Sequence, residues 1–192
     1  IDTLLTTPEF GEQFGRTWRD WICPPELPSD ANGGKQPHRE AQAFGKWLGE
    51  RFAAGNSWDK IVREILTVEG EIKNQPHVIF FGLVGQDGKE TADGTARAVA
   101  SLFMGVQLQC AQCHDHPSID DYKQNDFNGL YVVFLNTSIR RNVKFPAISE
   151  KVLAKKLDFV SVFTMDKGAT GPRLPFGMEV EIPVFKKGEE YS

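Results

Sequence analysis

A five-residue motif, CAQCH from Cys110 to His114, constrains this chain of 192 residues more than any other feature. Two cysteines three positions apart, followed at once by a histidine, are the attachment pattern of a c-type haem. Each thiol can bond to one vinyl group of the porphyrin, and the His114 imidazole can then reach the iron as proximal ligand. If the motif is helical, positions i, i+3 and i+4 share one face. Cys110, Cys113 and His114 are therefore predicted to project to the same side.

Apolar residues before the motif recur at helical spacing, which predicts an amphipathic helix that begins near Asp93 and ends with the motif. Pro117 should stop it, because the residue before a proline disfavours helical geometry. A second helix is predicted to begin at Asn125 or Asp126. The apolar stripe of the first helix consists of Ala96, Val99, Phe103, Val106 and Cys110. The apolar wall near the haem is predicted to consist of Val99, Phe103, Val106, Leu130 and Phe134.

The fold class predicted from periodicity is mainly α, a helical cytochrome-like domain with a short extended, β-like C-terminal segment. Ser57 can cap a helix in which Ile61 and Ile65 lie on the apolar face. Residues 1–139 are expected to form the helical domain that carries the motif. Residues 140–192 are expected to be an extended segment or linker toward a following domain, with β-like stretches from Leu157 to Met165 and from Met178 to Val184.

Composition excludes some classes of partner. The formal net charge of −4 gives no basic surface for nucleic acid. No stretch approaches the ~18 to 20 consecutive apolar residues of a membrane span.

The chain opens at Ile1 without an initiator methionine, so we expect an excised fragment or a mature form. Because haem is attached to such cysteines outside the cytoplasm, a haem site implies an exported protein, either periplasmic or at the cell surface.

Several segments in the same order carry a family resemblance that covers most of residues 10–192. The stretch from Gly105 to Pro117 resembles the core of the planctomycete cytochrome-c-associated family, a domain of unknown function. Residues 44–69 and 122–134 are similar to its helices on either side. Residues 172–175 and 188–191 resemble the linker to the partner domain that usually follows. The resemblance implies an exported, multidomain protein that is redox-active through its haem-type motif, and it names no substrate. Tyr122 stands where a tryptophan is common, and Phe127-Asn128 replaces a Tyr-Tyr pair, but the cysteines and both histidines match.

The remaining candidate ligands each have more than one predicted role. Because Pro117 turns the chain directly after it, His116 is predicted to hold a haem propionate or the His114 backbone by a hydrogen bond. A purely structural role and a role as an alternative ligand are the other interpretations. The sixth coordination position of the iron could be filled by a second side chain of this protein, could stay open or could take water. The third cysteine, Cys23, is interpreted as a small buried apolar residue, with a disulfide to the motif or a reactive thiol as alternatives. The candidates for the sixth position are His77, Met165 and Met178, with Met104 and His38 less favoured.

Three functions compete at this stage. The first is a c-type haem-binding electron-transfer domain of an exported multidomain protein, which would exchange electrons with a redox partner protein or an adjacent domain. The second is a helical interaction domain without redox activity, in which a structural zinc is bound by Cys110, Cys113, His114 and His116. The third is a helical domain whose cysteines form a disulfide or stay free. If the protein is part of an enzyme, we expect it to be a redox domain of a larger oxidoreductase. The sequence assigns no catalytic residue.

Overall fold

A computed structural model describes residues 2–23, 36–84, 91–140, 147–153 and 155–186. The fold is mainly α with a few short strands, which confirms the predicted fold class. The chain divides into two compact units. Unit 1 comprises Ile1–Leu83 and Ile139–Ser149, and unit 2 comprises Val84–Ser138 and Glu150–Ser192. Among the described helices, none is both long enough and apolar enough to cross a membrane.

Unit 1 is built around two long helices. Its helices are α1 (Asp2–Leu5), α2 (Pro8–Ile22), α3 (Gln36–Ala53), α4 (Trp58–Leu66) and α5 (Ile79–Val84), with a 3-10 turn at Pro76–Val78. Three short strands, β1 (Gly70–Glu71), β2 (Ser138–Arg140) and β3 (Ala147–Ser149), form a sheet in the order β1-β3-β2. The predicted helix after Ser57 is confirmed, since α4 buries both Ile61 and Ile65 completely. The other side chains of this core with no exposed surface are Phe44, Leu48 and Phe80.

Helices α2 and α3 approach each other closely because each carries two glycines four residues apart. Gly11 and Gly15 of α2 meet Gly45 and Gly49 of α3. A Cβ atom added to Gly15 would lie 2.6 Å from the Gly45 carbonyl oxygen and 2.6 Å from the Gly49 nitrogen. Both neighbours are backbone atoms, which cannot rotate away. The two backbones are therefore in direct van der Waals contact along this line.

Unit 2 combines two helices with a hairpin. Its elements are α6 (Thr91–Met104), a 3-10 turn at Gln109–Gln112, α7 (Gln124–Phe134), β4 (Leu157–Val160) and β5 (Lys167–Thr170). Strands β4 and β5 pair antiparallel, with Leu157 opposite Thr170 and Val160 opposite Lys167. The helix predicted from Asn125 or Asp126 is confirmed as α7, and it buries Leu130 and Phe134.

The prediction that one helix runs into the motif is wrong. Helix α6 begins at Thr91 and ends at Met104, because Gly105 adopts the left-handed conformation (φ 68°) that commonly terminates helices. The Val106 N–H then bonds to the Ala100 carbonyl at 2.9 Å. The motif follows as a separate 3-10 turn. Cys110 is consequently exposed and does not continue the apolar stripe of α6.

The predicted apolar wall is confirmed only in part. Val99, Leu130 and Phe134 are buried, whereas Phe103 and Val106 are half-buried. Directly at the motif, the buried side chains are instead Leu108 and Ala111. Helical periodicity does not identify these two positions as buried, because the chain leaves helical geometry at Gly105.

The C-terminal segment is less regular than its alternating pattern predicts. Strand β4 stops at Val160, and the stretch from Met178 to Val184 forms no strand in the described residues beyond a single bridge between Arg173 and Glu179. Met178 and Val184 are almost fully exposed, so the alternation does not correspond to a buried sheet face. The predicted domain division after residue 139 stays a prediction.

Candidate functional site

The 3-10 turn at Gln109–Gln112 presents the two motif cysteines to solvent. Leu108 and Ala111 are 1% and 0% exposed and hold the turn against unit 2. Cys110 and Cys113 are exposed free thiols. Cys110 lies within the turn, and Cys113 follows directly after its last residue. The predicted α-helical presentation of the pair is therefore replaced by a short 3-10 turn, and the projection of both thiols to one side stays a prediction.

His114 has one ring nitrogen engaged and one available. Its Nδ1 atom lies 2.6 Å from the carbonyl oxygen of Asp115. A carbonyl oxygen can only accept a hydrogen bond, so Nδ1 must carry the proton. In the neutral ring, Nε2 then bears the lone pair. Histidines that bind metals through Nε2 commonly donate Nδ1–H to a backbone carbonyl in this way.

His116 has the opposite arrangement. Its Nδ1 atom accepts hydrogen bonds from the backbone N–H groups of Ser118 at 3.1 Å and Ile119 at 3.0 Å. Nδ1 is therefore unprotonated, and in the neutral ring Nε2 carries the proton. The backbone N–H of His116 also donates to the Tyr122 carbonyl at 2.8 Å. These bonds make His116 the centre of the turn that follows the motif, with no lone pair free for a metal ion in this arrangement.

Asp115 connects the motif to the first turn of α7. One of its carboxylate oxygens accepts the Gln124 N–H at 2.9 Å, and the other lies 3.3 Å from the Lys123 ammonium. The Gln124 N–H bond, helped by Lys123, holds the pKa of the Asp115 carboxyl below its usual value. An anionic acceptor at a helix N-terminus is favourable because the first N–H groups have no partner within the helix.

A buried ion pair connects Asp126 of α7 with Arg173 of the C-terminal segment. The Asp126 carboxylate is 3.2 Å from the Arg173 guanidinium and also accepts the N–H groups of Phe176 at 3.0 Å and Lys123 at 3.2 Å. Asp126 is 2% exposed. Arg173 crosses α7 at Gly129, where a Cβ atom would overlap its side chain. The turn containing Arg173 is thereby fixed on α7.

The hairpin of β4 and β5 forms the other side of the motif. The Val162 N–H donates to the Cys113 carbonyl at 3.0 Å, and the Phe163 ring packs on the His114 imidazole with centroids 4.4 Å apart. The Gln124 side-chain amide lies 3.4 Å from the Gln112 carbonyl and 3.3 Å from that of Val160. An open cavity of about 340 Å³ lies beside His114. Sequence reasoning missed Phe163, since no local pattern indicates a contact across 49 residues of chain.

The other predicted ligands occupy varied environments. His77 is 6% exposed and stacks on Trp47, and burial lowers its pKa to about 4. Met165 lies in the hairpin loop and Met178 in the C-terminal segment, 70% and 91% exposed. Met104 is half-buried at the end of α6, and the His38 side chain lies outside the described residues. The role of each as a sixth iron ligand stays a prediction.

Cys23 is buried, which agrees with its interpretation as a small apolar residue, and burial raises its thiol pKa to about 12. Within the described part of the chain, no three His, Cys, Asp or Glu side chains are grouped so that they could hold a metal ion. The four predicted zinc ligands, all of them described, are thus not brought together. The motif instead offers two exposed thiols, followed in sequence by an imidazole whose Nδ1 contacts the Asp115 carbonyl.

Comparison with known proteins gives one match. A family model described as PSCyt2, protein of unknown function (DUF1549), matches residues 1–139. This match is consistent with the resemblance to a planctomycete cytochrome-associated family. No curated protein and no solved structure matches the chain significantly. Because the matched residues make up more than half of the 192, the chain belongs to the PSCyt2 (DUF1549) family of proteins of unknown function.

Proposed function

We propose that this protein is a c-type haem-binding electron-transfer domain, with the haem attached to Cys110 and Cys113 and His114 as its axial ligand. The observation that carries the proposal is the state of the motif: two exposed free thiols are followed in sequence by an imidazole whose Nδ1 contacts the Asp115 carbonyl. Thioether formation requires accessible thiols, and axial binding requires an unprotonated Nε2. The exposure of both thiols and the contact of Nδ1 with a carbonyl oxygen support the proposal.

Once the two thiols have added to the porphyrin vinyl groups, the other groups of the chain would hold and orient the haem. Leu108 and Ala111 anchor the turn, and the Asp115 carbonyl orients His114. When bound, the haem would supply one-electron transfer at its iron. Attachment of such a group takes place outside the cytoplasm, so the proposal includes an exported multidomain protein with a redox partner protein or an adjacent domain as electron donor or acceptor.

Covalent haem is the first prediction and the first test. Expression in an exporting host with a cytochrome maturation system should give protein whose mass includes one haem and whose reduced pyridine haemochrome spectrum is that of haem c. The double variant Cys110→Ala/Cys113→Ala should lose both signals. Cys23→Ala is the matched control and should keep them, because that thiol is buried.

The haem proposal would be overturned if the wild-type protein had only the mass of the bare polypeptide under conditions in which a known cytochrome is matured. Metal analysis of the same sample separates the alternatives. Stoichiometric zinc without a Soret band would establish the structural zinc site, and a disulfide detected without metal would establish the thiol domain.

The second prediction is that His114 and His116 are unequal. His114→Ala should abolish the native axial ligand field even when the porphyrin stays attached, because it removes the available Nε2. His116→Ala should leave axial coordination intact and shift the reduction potential by tens of millivolts, since its Nδ1 serves the backbone. Electron paramagnetic resonance of the oxidised proteins distinguishes the two variants. Identical changes in both would mean that the histidines are joint ligands.

A further inference from the structure

The loop between β4 and β5 is held in one conformation against the motif. The Ser161 N–H bonds to the Asp166 carbonyl and the Met165 N–H bonds to the Ser161 carbonyl, each at 2.9 Å. Val162 adds its bond to the Cys113 carbonyl. Met165 has φ 60°, a left-handed conformation that costs a non-glycine residue free energy and persists only when its surroundings impose it. The loop is therefore fixed by specific bonds despite its exposure.

Phe163 is the residue that this loop presents to His114. Its side chain is 74% exposed, so it contributes little to the apolar core. Its ring nevertheless packs on the imidazole at a centroid distance of 4.4 Å and an interplanar angle of 34°. The contact with His114 is thus the main consequence of its position.

The contact restrains the imidazole without blocking its free nitrogen. The lone pair on Nε2 lies in the plane of the ring, whereas Phe163 covers a face of the ring. The hydrogen bond from Nδ1 to the Asp115 carbonyl restrains rotation about the Cβ–Cγ bond, because Nδ1 lies off that axis. The phenyl ring opposes the same rotation from one face of the imidazole. The two contacts together hold the plane of the ring and therefore the direction of Nε2.

We infer that Phe163 is a positioning residue for the axial ligand: it holds the plane of the His114 imidazole, which makes the β4–β5 hairpin part of the haem site. This inference rests on the proposed function for its purpose. Its structural content concerns only the His114 ring and can be tested without haem. The hairpin lies outside residues 1–139, so membership in the family assigns it no role.

The decisive test uses the haem-free full chain with labelled histidine. The ring protons of His114 should resonate upfield in the wild type, because the Phe163 ring shields them. Phe163→Ala should move them to the positions of an unrestrained histidine, and Phe163→Tyr should restore the wild-type shifts. Val160→Ala is the matched control, an exposed apolar residue of the same hairpin at 44% exposure, and should change nothing. Unchanged His114 signals in Phe163→Ala would overturn the inference.

A second measurement addresses the loaded protein. Phe163→Ala should acquire haem in the same amount by mass but show a broadened electron paramagnetic resonance spectrum, because the axial imidazole would adopt several orientations. Val160→Ala should give the wild-type spectrum. A wild-type spectrum in Phe163→Ala would overturn the inference. Absence of haem from every protein, wild type included, would overturn the proposed function, whereas the haem-free measurement would still decide the role of Phe163.

Discussion

The glycine contact in unit 1 and the motif in unit 2 are held in place by opposite means. Helices α2 and α3 touch through backbone atoms at Gly11, Gly15, Gly45 and Gly49, where the absence of side chains permits the approach. The motif turn packs through Leu108 and Ala111, and polar groups connect it to α7 and the β4–β5 hairpin, chiefly the Asp115 carboxylate and the Gln124 amide. On the same helix, the Asp126 carboxylate holds the turn that contains Arg173. Close backbone packing thus determines the first region, whereas the connections of the second depend on hydrogen bonds and an ion pair. The two regions should therefore be destabilised by different kinds of substitution.

The largest effect is expected from breaking the buried ion pair of unit 2. Asp126→Ala removes the partner of Arg173 and the acceptor for two backbone N–H groups, which should cost about 3 to 4 kcal/mol. Hydrogen exchange of α7 peptides should show the loss. Asp158→Ala, at an exposed aspartate of β4, should cost under about 0.5 kcal/mol. Equal protection of α7 in both variants would contradict the importance of the polar network.

A second effect should come from titrating His77, the buried imidazole of unit 1. Burial lowers its pKa from 6.5 to about 4, with Glu64 opposing and Arg51 reinforcing that shift. As the pH falls below 6.5, His77 becomes protonated in the unfolded chain. In the folded protein it becomes protonated only at about pH 4. The free energy of unfolding should therefore decrease across that window, by at most about 3 kcal/mol.

Tryptophan fluorescence measures this change specifically, because all four tryptophans (Trp18, Trp21, Trp47 and Trp58) lie in unit 1. His77→Phe preserves an aromatic ring on Trp47 and cannot titrate, so its stability should vary less between pH 6.5 and 4. The same pH dependence in both proteins would assign the effect to other groups.

The smallest of the three effects should come from overpacking the glycine contact. Gly15→Ala places a methyl group against the Gly45 carbonyl and the Gly49 nitrogen, so the helices must separate at a cost of about 2 kcal/mol. Urea unfolding followed by tryptophan fluorescence should show the loss. Gly82→Ala is the control, since nothing lies within 4 Å of its added Cβ atom, and it should be neutral or stabilising. If Gly15→Ala is neutral as well, the close approach is unimportant for stability.

The parts of the fold that were predictable are those with local signals. The periodicity around Ile61 and Ile65 identified α4, and the apolar pattern from Phe127 to Phe134 identified α7. The helix predicted to reach Cys110 ends instead at Gly105, and that glycine was itself a visible signal. The contacts of His114 were only partly accessible. Its neighbours in sequence were known, but Phe163 meets it through the tertiary fold, which no spacing rule encodes.

The bond between the Val162 N–H and the Cys113 carbonyl has a practical meaning for how the domain is delimited. The match to the family covers residues 1–139, whereas unit 2 also includes residues from Glu150 onward. A gene fragment cut at the end of the matched region would encode the cysteines and both histidines but leave out β4, β5 and the aromatic ring that lies on His114. Such a fragment would lack half of the proposed haem site, so its failure to acquire a cofactor would not count against the proposal. The compact unit that carries the motif extends beyond the residues matched by the family.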